Sequence, residues 1–201
     1  NDKHDNIWIA QREGRAKDSD DRTQESVLKM LNMGGPTPGK TTAEIIENLR
    51  NMNIVPLAIS YEYDPCDYLK AKEFQCKRDI PGWKKAKQDD LDNMKTGIWG
   101  KKGHVHYQAS ACINDWLDTL DPTAIDKADI YRLVAEHIDH EIHANYKIYD
   151  VNRDALAGKE NEYVESRVRM VDVEQPDVPF LREKIMTMYA NPLRNHEKAV
   201  Q

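Results

Sequence analysis

Charged side chains that could hold a phosphate group lie together near the start of the chain. Residues 11–18 read Gln-Arg-Glu-Gly-Arg-Ala-Lys-Asp and follow a short apolar run at residues 7–10. Arginine can meet phosphate oxygens through two parallel hydrogen bonds, and lysine adds a compact positive charge. A carboxylate beside them can orient an arginine or a substrate hydroxyl. The candidate substrate-binding residues of this turn are Arg12, Glu13, Gly14, Arg15 and Lys17, and a charged surface turn without a ligand is the alternative interpretation.

A second phosphate-binding pattern occurs at residues 34–41, which read Gly-Gly-Pro-Thr-Pro-Gly-Lys-Thr. This order matches the phosphate loop, in which backbone N–H groups surround the phosphates of a nucleotide. Such a loop must leave a strand and enter a helix, whereas the residues before Gly34 have helical spacing and two prolines stiffen the loop. We therefore interpret the match as accidental, and keep a nucleotide-binding phosphotransferase as an alternative function.

Metal-capable side chains are dense at residues 136–143, which read Glu-His-Ile-Asp-His-Glu-Ile-His. The order is neither that of a zinc-protease helix nor its inverse, so no glutamate is placed as a general base. At 100° per residue the three histidines lie beside and behind the apolar stripe, which predicts a surface helix with a titratable face. The cysteines Cys66, Cys76 and Cys112 are widely spaced and suggest neither a disulfide scaffold nor a thiolate metal site. No metal site is predicted.

The hydrophobic pattern alternates between strands and helices. Strands are predicted at residues 7–10, 53–63 and 104–107, and the second of these contains Pro56, which cannot donate to a strand ladder. Helices are predicted at residues 23–33, after Thr41 or Thr42, at 123–150, and twice within 160–201. This order predicts an α/β fold with a mixed, largely parallel sheet flanked by helices. Residues 1–125 are expected to form the C-terminal part of an α/β domain, and residues 126–201 a helical C-terminal extension packed on it.

Charge excludes some classes of function. The chain has 29 Lys and Arg against 35 Asp and Glu, and this net charge of -6 argues against a nucleic-acid partner. No apolar run approaches the roughly 20 residues that a membrane-spanning helix needs. Residues 70–102 are different, because ten basic and five acidic side chains are interleaved there with Phe74, Trp83, Leu91 and Trp99. This segment is either a solvated helical face with its aromatic residues in the core, or a contact for an anionic membrane surface or substrate.

Two segments together resemble a known family. Residues 7–15, Ile-Trp-Ile-Ala-Gln-Arg-Glu-Gly-Arg, and residues 54–59, Ile-Val-Pro-Leu-Ala-Ile, resemble the third and fourth motif blocks of the glycerolipid acyltransferases. Residues 8–21, with Tyr-Glu-Tyr-Asp-Pro at 61–65, look most like the glycerol acyltransferases of Bacteroides-like bacteria. The resemblance implies that Glu13, Gly14 and Arg15 bind the phosphate of glycerol-3-phosphate or 1-acylglycerol-3-phosphate, and that the strand around Pro56 shapes the neighbouring pocket. Arg15 directly follows Gly14 where many members have a small residue, so Arg12, Arg15 and Lys17 all remain candidates for the phosphate-binding cation.

The resemblance also implies a reaction and its partners. The parent enzyme is expected to transfer a fatty acyl group from an acyl thioester, carried by coenzyme A or acyl carrier protein, to a glycerol-phosphate-type acceptor in phospholipid synthesis. No metal or other cofactor is implied. The expected location is cytoplasmic, peripheral on the inner face of the cell membrane, with an anionic membrane surface as a further partner.

The catalytic motif of that family, His-x-x-x-x-Asp, is missing from the sequence. None of the seven histidines is followed by aspartate five positions later. We expect the histidine that acts as general base to lie upstream of residue 1, so no catalytic residue is assigned and the chain alone should turn over no substrate. A noncatalytic interaction domain is the remaining alternative, because residues 104–201 hold 11 basic and 18 acidic groups.

Overall fold

The computed structural model describes residues 6–11, 16–34, 38–159 and 161–201. Helices account for 53% of these residues and strands for 5%. The elements in chain order are α1 (Glu25–Met33), α2 (Thr42–Arg50), β1 (Leu57–Tyr61), α3 (Asp67–Asp79), α4 (Lys87–Trp99), β2 (Val105–Ala109), α5 (Asn114–Leu117), α6 (Ile130–Ala144), α7 (Asp150–Leu156), α8 (Glu162–Arg169) and α9 (Val178–Ala199).

The predicted α/β fold with a largely parallel sheet is wrong. Within the described residues the only sheet is the antiparallel pair of β1 and β2, in which Leu57 lies opposite Ala109 and Tyr61 opposite Val105. Residues 7–10 form no strand, and Ile7 and Trp8 are 85% and 79% exposed. An apolar run becomes a strand only when a neighbouring strand accepts and donates its backbone hydrogen bonds, and periodicity carries no information about that neighbour.

The other two predicted strands are present with shifted ends. The strand predicted at 53–63 is shorter, because β1 begins only after the buried Pro56, which has no N–H to donate. The Pro56 carbonyl oxygen still accepts a hydrogen bond from the Ser110 N–H at 2.9 Å. The strand predicted at 104–107 is confirmed as β2, which begins one residue later and ends two residues later.

The chain divides into two compact units, and the first comprises the described residues of Asn1–Arg15, Asp21–Pro56 and Ser110–Ile142. Helix α2 begins as predicted, because the Thr41 hydroxyl accepts a hydrogen bond from the Glu44 N–H at 3.3 Å while the Glu44 carboxylate accepts one from the Thr41 N–H at 2.9 Å. The fully buried side chains of this unit are aliphatic: Leu28, Ile45, Leu49, Ile113, Leu117, Ile130 and Val134.

The second unit comprises Ala16–Asp20, Leu57–Ala109 and His143–Gln201, and contains the strand pair, α3, α4 and the last three helices. Helix α9 is its central element, since α3, α7 and α8 all pack against it. The apolar core includes Val151, Val164, Leu181 and Ile185. The two helices predicted within residues 160–201 are confirmed as α8 and α9.

A buried carboxylate joins three helices of this unit. Asp67, at the start of α3, is fully buried and accepts hydrogen bonds from Arg167 Nε at 2.5 Å, the Tyr189 hydroxyl at 2.7 Å and the Tyr163 hydroxyl at 3.2 Å. Arg167 also donates to the Pro65 carbonyl oxygen at 2.8 Å. Burial raises the pKa of Asp67, and the guanidinium of Arg167 and the hydroxyl of Tyr189 oppose that rise. The network therefore supplies the partners that a buried charge requires.

We expect the Arg167→Ala substitution to reduce the free energy of unfolding by about 3–5 kcal/mol, because it leaves the Asp67 carboxylate buried without its counter-ion. Urea denaturation followed by circular dichroism measures the change. Arg169→Ala is the matched control on the same helix, since Arg169 pairs with Glu162 at an exposed position, and its cost should be below about 1 kcal/mol. Equal losses in the two variants would contradict a stabilising role for the buried pair.

Candidate functional site

Two of the six predicted substrate-binding residues lie within the described parts of the chain. Lys17 belongs to the second unit, and Pro56, a buried residue, belongs to the first. Arg12, Glu13, Gly14 and Arg15 lie outside the described residues. The geometry of the candidate site is therefore built from Lys17.

Lys17 shares a buried carboxylate with a second lysine. Glu73 is a buried residue in the middle of α3, and its Oε1 forms an ion pair with the ammonium group of Lys17. The same oxygen lies 3.0 Å from Lys77 Nζ, one helical turn further along α3. Two ammonium groups on one carboxylate leave this trio with a net charge of about +1 when all three groups are ionised.

A third lysine approaches the pair from the segment that leads into α4. Lys85 Nζ lies 2.7 Å from Asp90 Oδ1 in the first turn of α4, and it is close enough to Lys17 to repel its charge. We call Lys17, Lys77 and Lys85 the lysine cluster. Asp90 raises the pKa of Lys17, but by less than Lys77 and Lys85 lower it.

Burial and the neighbouring lysines lower the pKa of Lys17. Partial burial of its ammonium group lowers its pKa most, and Lys77 and Lys85 lower it further, so that the pKa falls from 10.5 to about 8. Lys17 is thus still largely protonated at neutral pH. An incoming anion would relieve the repulsion between the lysines, which is the electrostatic property of an anion-binding site.

Helix α3 holds the acidic member of the trio in place through polar contacts. The side chain of Gln75 donates from Nε2 to the Gln175 carbonyl oxygen at 2.7 Å and accepts from the Asp177 N–H at 3.1 Å. These bonds attach α3, two residues beyond Glu73, to the segment that leads into α9. The sequence did not single out Glu73, because a buried carboxylate in a highly polar helix resembles any solvated position. Lys77 and Lys85 do belong to the basic segment noted at residues 70–102.

Three amide groups in the described part of the apparent phosphate loop donate to neighbouring side chains of the same unit. Residues 35–37 lie outside the described residues, and a helix, α1, precedes them as the sequence predicted. The Gly39 N–H donates to Asn32 Oδ1 at 3.2 Å, while the N–H groups of Lys40 and Thr41 donate to the Glu44 carboxylate at 2.8 and 2.9 Å. These three donors already have an acceptor, and two of them face a negative charge. The arrangement favours the accidental match over a nucleotide site.

The histidine-rich helix α6 differs in part from its prediction. His143 is buried, not exposed as expected, and its carbonyl oxygen accepts a hydrogen bond from His196 Nδ1 at 2.9 Å. His137 stacks on Trp116 with the ring centroids 3.9 Å apart, and burial lowers its pKa. Across the described residues, no three His, Cys, Asp or Glu side chains are grouped so that they could hold a metal ion.

The Lys77→Ala substitution should raise the pKa of Lys17 from about 8 toward 10.5, because it removes the lysine that lowers this pKa most. Reductive methylation with ¹³C followed by NMR titration measures each lysine separately. Lys40→Ala, a change in a lysine of the first unit, is the control and should leave the Lys17 titration unchanged. A Lys17 that titrates at its ordinary value in the unsubstituted chain would contradict this description of the cluster.

Comparison with known proteins does not help to interpret this site. Searches against protein-family models, curated proteins and solved structures found no significant match to the chain. No helix in the described part of the chain is long and apolar enough to cross a membrane. The candidate function therefore rests on the residues themselves.

Proposed function

We propose that this chain binds the phosphate of a glycerol-phosphate-type acceptor for acyl transfer from an acyl thioester carried by coenzyme A or acyl carrier protein. Lys17 of the lysine cluster binds the phosphate, together with Arg12, Glu13, Gly14 and Arg15 of the turn that precedes it. The observation that carries the proposal is the position of the cluster, which gathers around Lys17, the last cation of that turn.

The chemistry of the lysine cluster suits a phosphate ester. A phosphate group offers up to two negative charges and several acceptor oxygens, and charge-assisted hydrogen bonds to it are stronger than neutral ones. The Glu73 carboxylate holds Lys17 and Lys77 beside each other before any ligand arrives. Because their side chains are already ordered, less conformational entropy is lost when the phosphate binds.

The part of the reaction assigned to this chain is positioning. In acyl transfer an acceptor hydroxyl oxygen bonds to the acyl carbonyl carbon, the carbon–sulfur bond breaks, and the hydroxyl proton passes to a base and on to the thiolate. The acceptor hydroxyl is on another carbon of the same glycerol unit, so holding the phosphate restricts the position of that hydroxyl and lowers the entropic part of the barrier. The chain contains no His-x-x-x-x-Asp sequence to act as the base.

The proposed reaction also defines a location. Its donor is a thioester of cytoplasmic carriers and its product is a lipid, so we place the protein in the cytoplasm, peripheral at the inner face of the cell membrane. No nucleic acid takes part, in keeping with the net charge of -6.

Glycerol-3-phosphate should bind to the chain, and Lys17→Ala should weaken that binding by about tenfold or more, as expected for the loss of one charge-assisted hydrogen bond. Isothermal titration calorimetry at low salt measures the affinity. Binding should also weaken as the pH rises through about 8, because Lys17 then loses its proton. Lys40→Ala is the control and should have no effect.

Three outcomes would decide against this function. Equal affinity in Lys17→Ala and the unsubstituted chain would place the phosphate elsewhere. Binding of ATP with magnesium that is lost in Lys40→Ala would support the phosphotransferase alternative instead. A stable protein partner together with no binding of glycerol-3-phosphate would support the noncatalytic interaction domain.

A further inference from the structure

Helix α4 has no buried residue along its 13 positions. Its large apolar side chains are all exposed: Leu91 by 51%, Met94 by 52%, Ile98 by 66% and Trp99 by 77%. The expectation that the aromatic residues of this segment point into the core is therefore wrong for Trp99. Four apolar side chains exposed on a single helix form a patch that needs a physical explanation.

The apolar side chains occupy one face of α4. At 100° per residue, Met94 and Ile98 both lie within about 60° of Leu91, and Trp99 lies about 80° to its other side. The opposite face carries Asn93 and Gly97, and the Asn93 carbonyl oxygen accepts a hydrogen bond from the Cys66 thiol at 3.4 Å. A Cβ atom on Gly97 would lie 3.6 Å from the sulfur of Cys66. The face with Asn93 and Gly97 thus packs against the second unit, and the apolar face of α4 points away from that unit.

Positive charge lies on the same side as the apolar face. Lys87 and Lys95 each lie about 40° from Leu91, whereas Asp89, Asp90 and Asp92 lie about 100° or more away. The three aspartates also have partners near the helix: the Ala86 N–H at 2.9 Å, Lys85 Nζ at 2.7 Å and Gln88 Nε2 at 3.0 Å, respectively. The outward surface of α4 is therefore apolar and cationic, without an acidic side chain in its centre.

We infer that the outward face of α4, formed by Lys87, Leu91, Met94, Lys95, Ile98 and Trp99, binds the surface of an anionic lipid bilayer. The helix lies parallel to the bilayer, with its aliphatic side chains among the acyl chains and Trp99 at the level of the headgroups. Lys87 and Lys95 meet the lipid phosphates, and each such lysine strengthens the electrostatic attraction to an anionic surface. Charge complementarity selects this partner, because a symmetric contact with a second copy would bring the same lysines together.

This inference goes beyond the proposed acceptor site, since it concerns other residues and needs no glycerol-3-phosphate. Vesicle binding that persists while glycerol-3-phosphate fails to bind would reject the proposed function and leave the role of α4 intact. The converse result would reject the role of α4 alone.

Sedimentation with unilamellar vesicles tests the inference. The chain should bind vesicles of equimolar phosphatidylcholine and phosphatidylglycerol at least about tenfold more tightly than vesicles of phosphatidylcholine alone. The Leu91→Ser and Ile98→Ser double variant should lose about tenfold or more in affinity for the anionic vesicles. The matched control is Met170→Ser with Val178→Ser, which changes two exposed apolar residues elsewhere in the same unit and should bind normally.

Two further pairs of variants test the contribution of the lysine charges and the position of Trp99 in the bilayer. Lys87→Glu with Lys95→Glu should reduce binding to the anionic vesicles by about tenfold or more, while Lys127→Glu with Lys159→Glu, an equal change in net charge, should not. A blue shift of tryptophan fluorescence on binding should disappear in Trp99→Phe and persist in Trp8→Phe, although both indoles are highly exposed.

Several results would overturn the inference. Any one of three results is enough: no vesicle binding by the unsubstituted chain, equal binding to neutral and anionic vesicles, or normal binding by the Leu91→Ser and Ile98→Ser variant. A dimer that forms without vesicles and dissociates in that double variant, with no vesicle binding, would assign the face to self-association.

Discussion

The second unit depends on the buried ion pair of Asp67 and Arg167. A carboxylate removed from water must have its charge compensated and its oxygens hydrogen-bonded, and here the partners come from α8 and α9. Because Asp67 opens α3, this requirement positions the first turn of that helix. The rest of α3 continues from that turn as a regular helix, and it carries Glu73 about two turns and Lys77 about three turns further on.

Two buried carboxylates on one helix thus have opposite electrostatic surroundings. Asp67 is matched by a single guanidinium and two hydroxyl groups, and nothing remains for a ligand to satisfy. Glu73 contacts the ammonium groups of two lysines, and the ammonium group of a third lies close to Lys17. Positive charges therefore outnumber the one carboxylate among these groups. The first arrangement stabilises the fold, whereas the second is suited to recruit an anion.

One ion pair links the lysine cluster to helix α4. Lys85, a member of the cluster, holds Asp90 in the first turn of α4. Small residues on the inner face let the helix pack closely, and its large apolar side chains stay exposed. The phosphate-binding site and the lipid contact that we propose would therefore lie on neighbouring segments, which suits the proposed transfer to an acceptor in a membrane.

Local features of this protein were determined by the sequence itself. The capping residues Thr41 and Glu44, the helical spacing of α1 and α2, and the two C-terminal helices around the Pro176 region all depend on neighbours within a few positions, so periodicity and capping chemistry predicted them. The tertiary structure alone decided the sheet, since residues 7–10 lack a pairing strand in the described chain while β1 found one in β2. It also decided which charges are buried, because Asp67 meets Arg167 a hundred positions away and Lys17 meets Glu73 on another element. Hydrogen-bond partners and counter-ions distant in sequence leave no periodic signal, and only the folded chain brings them together.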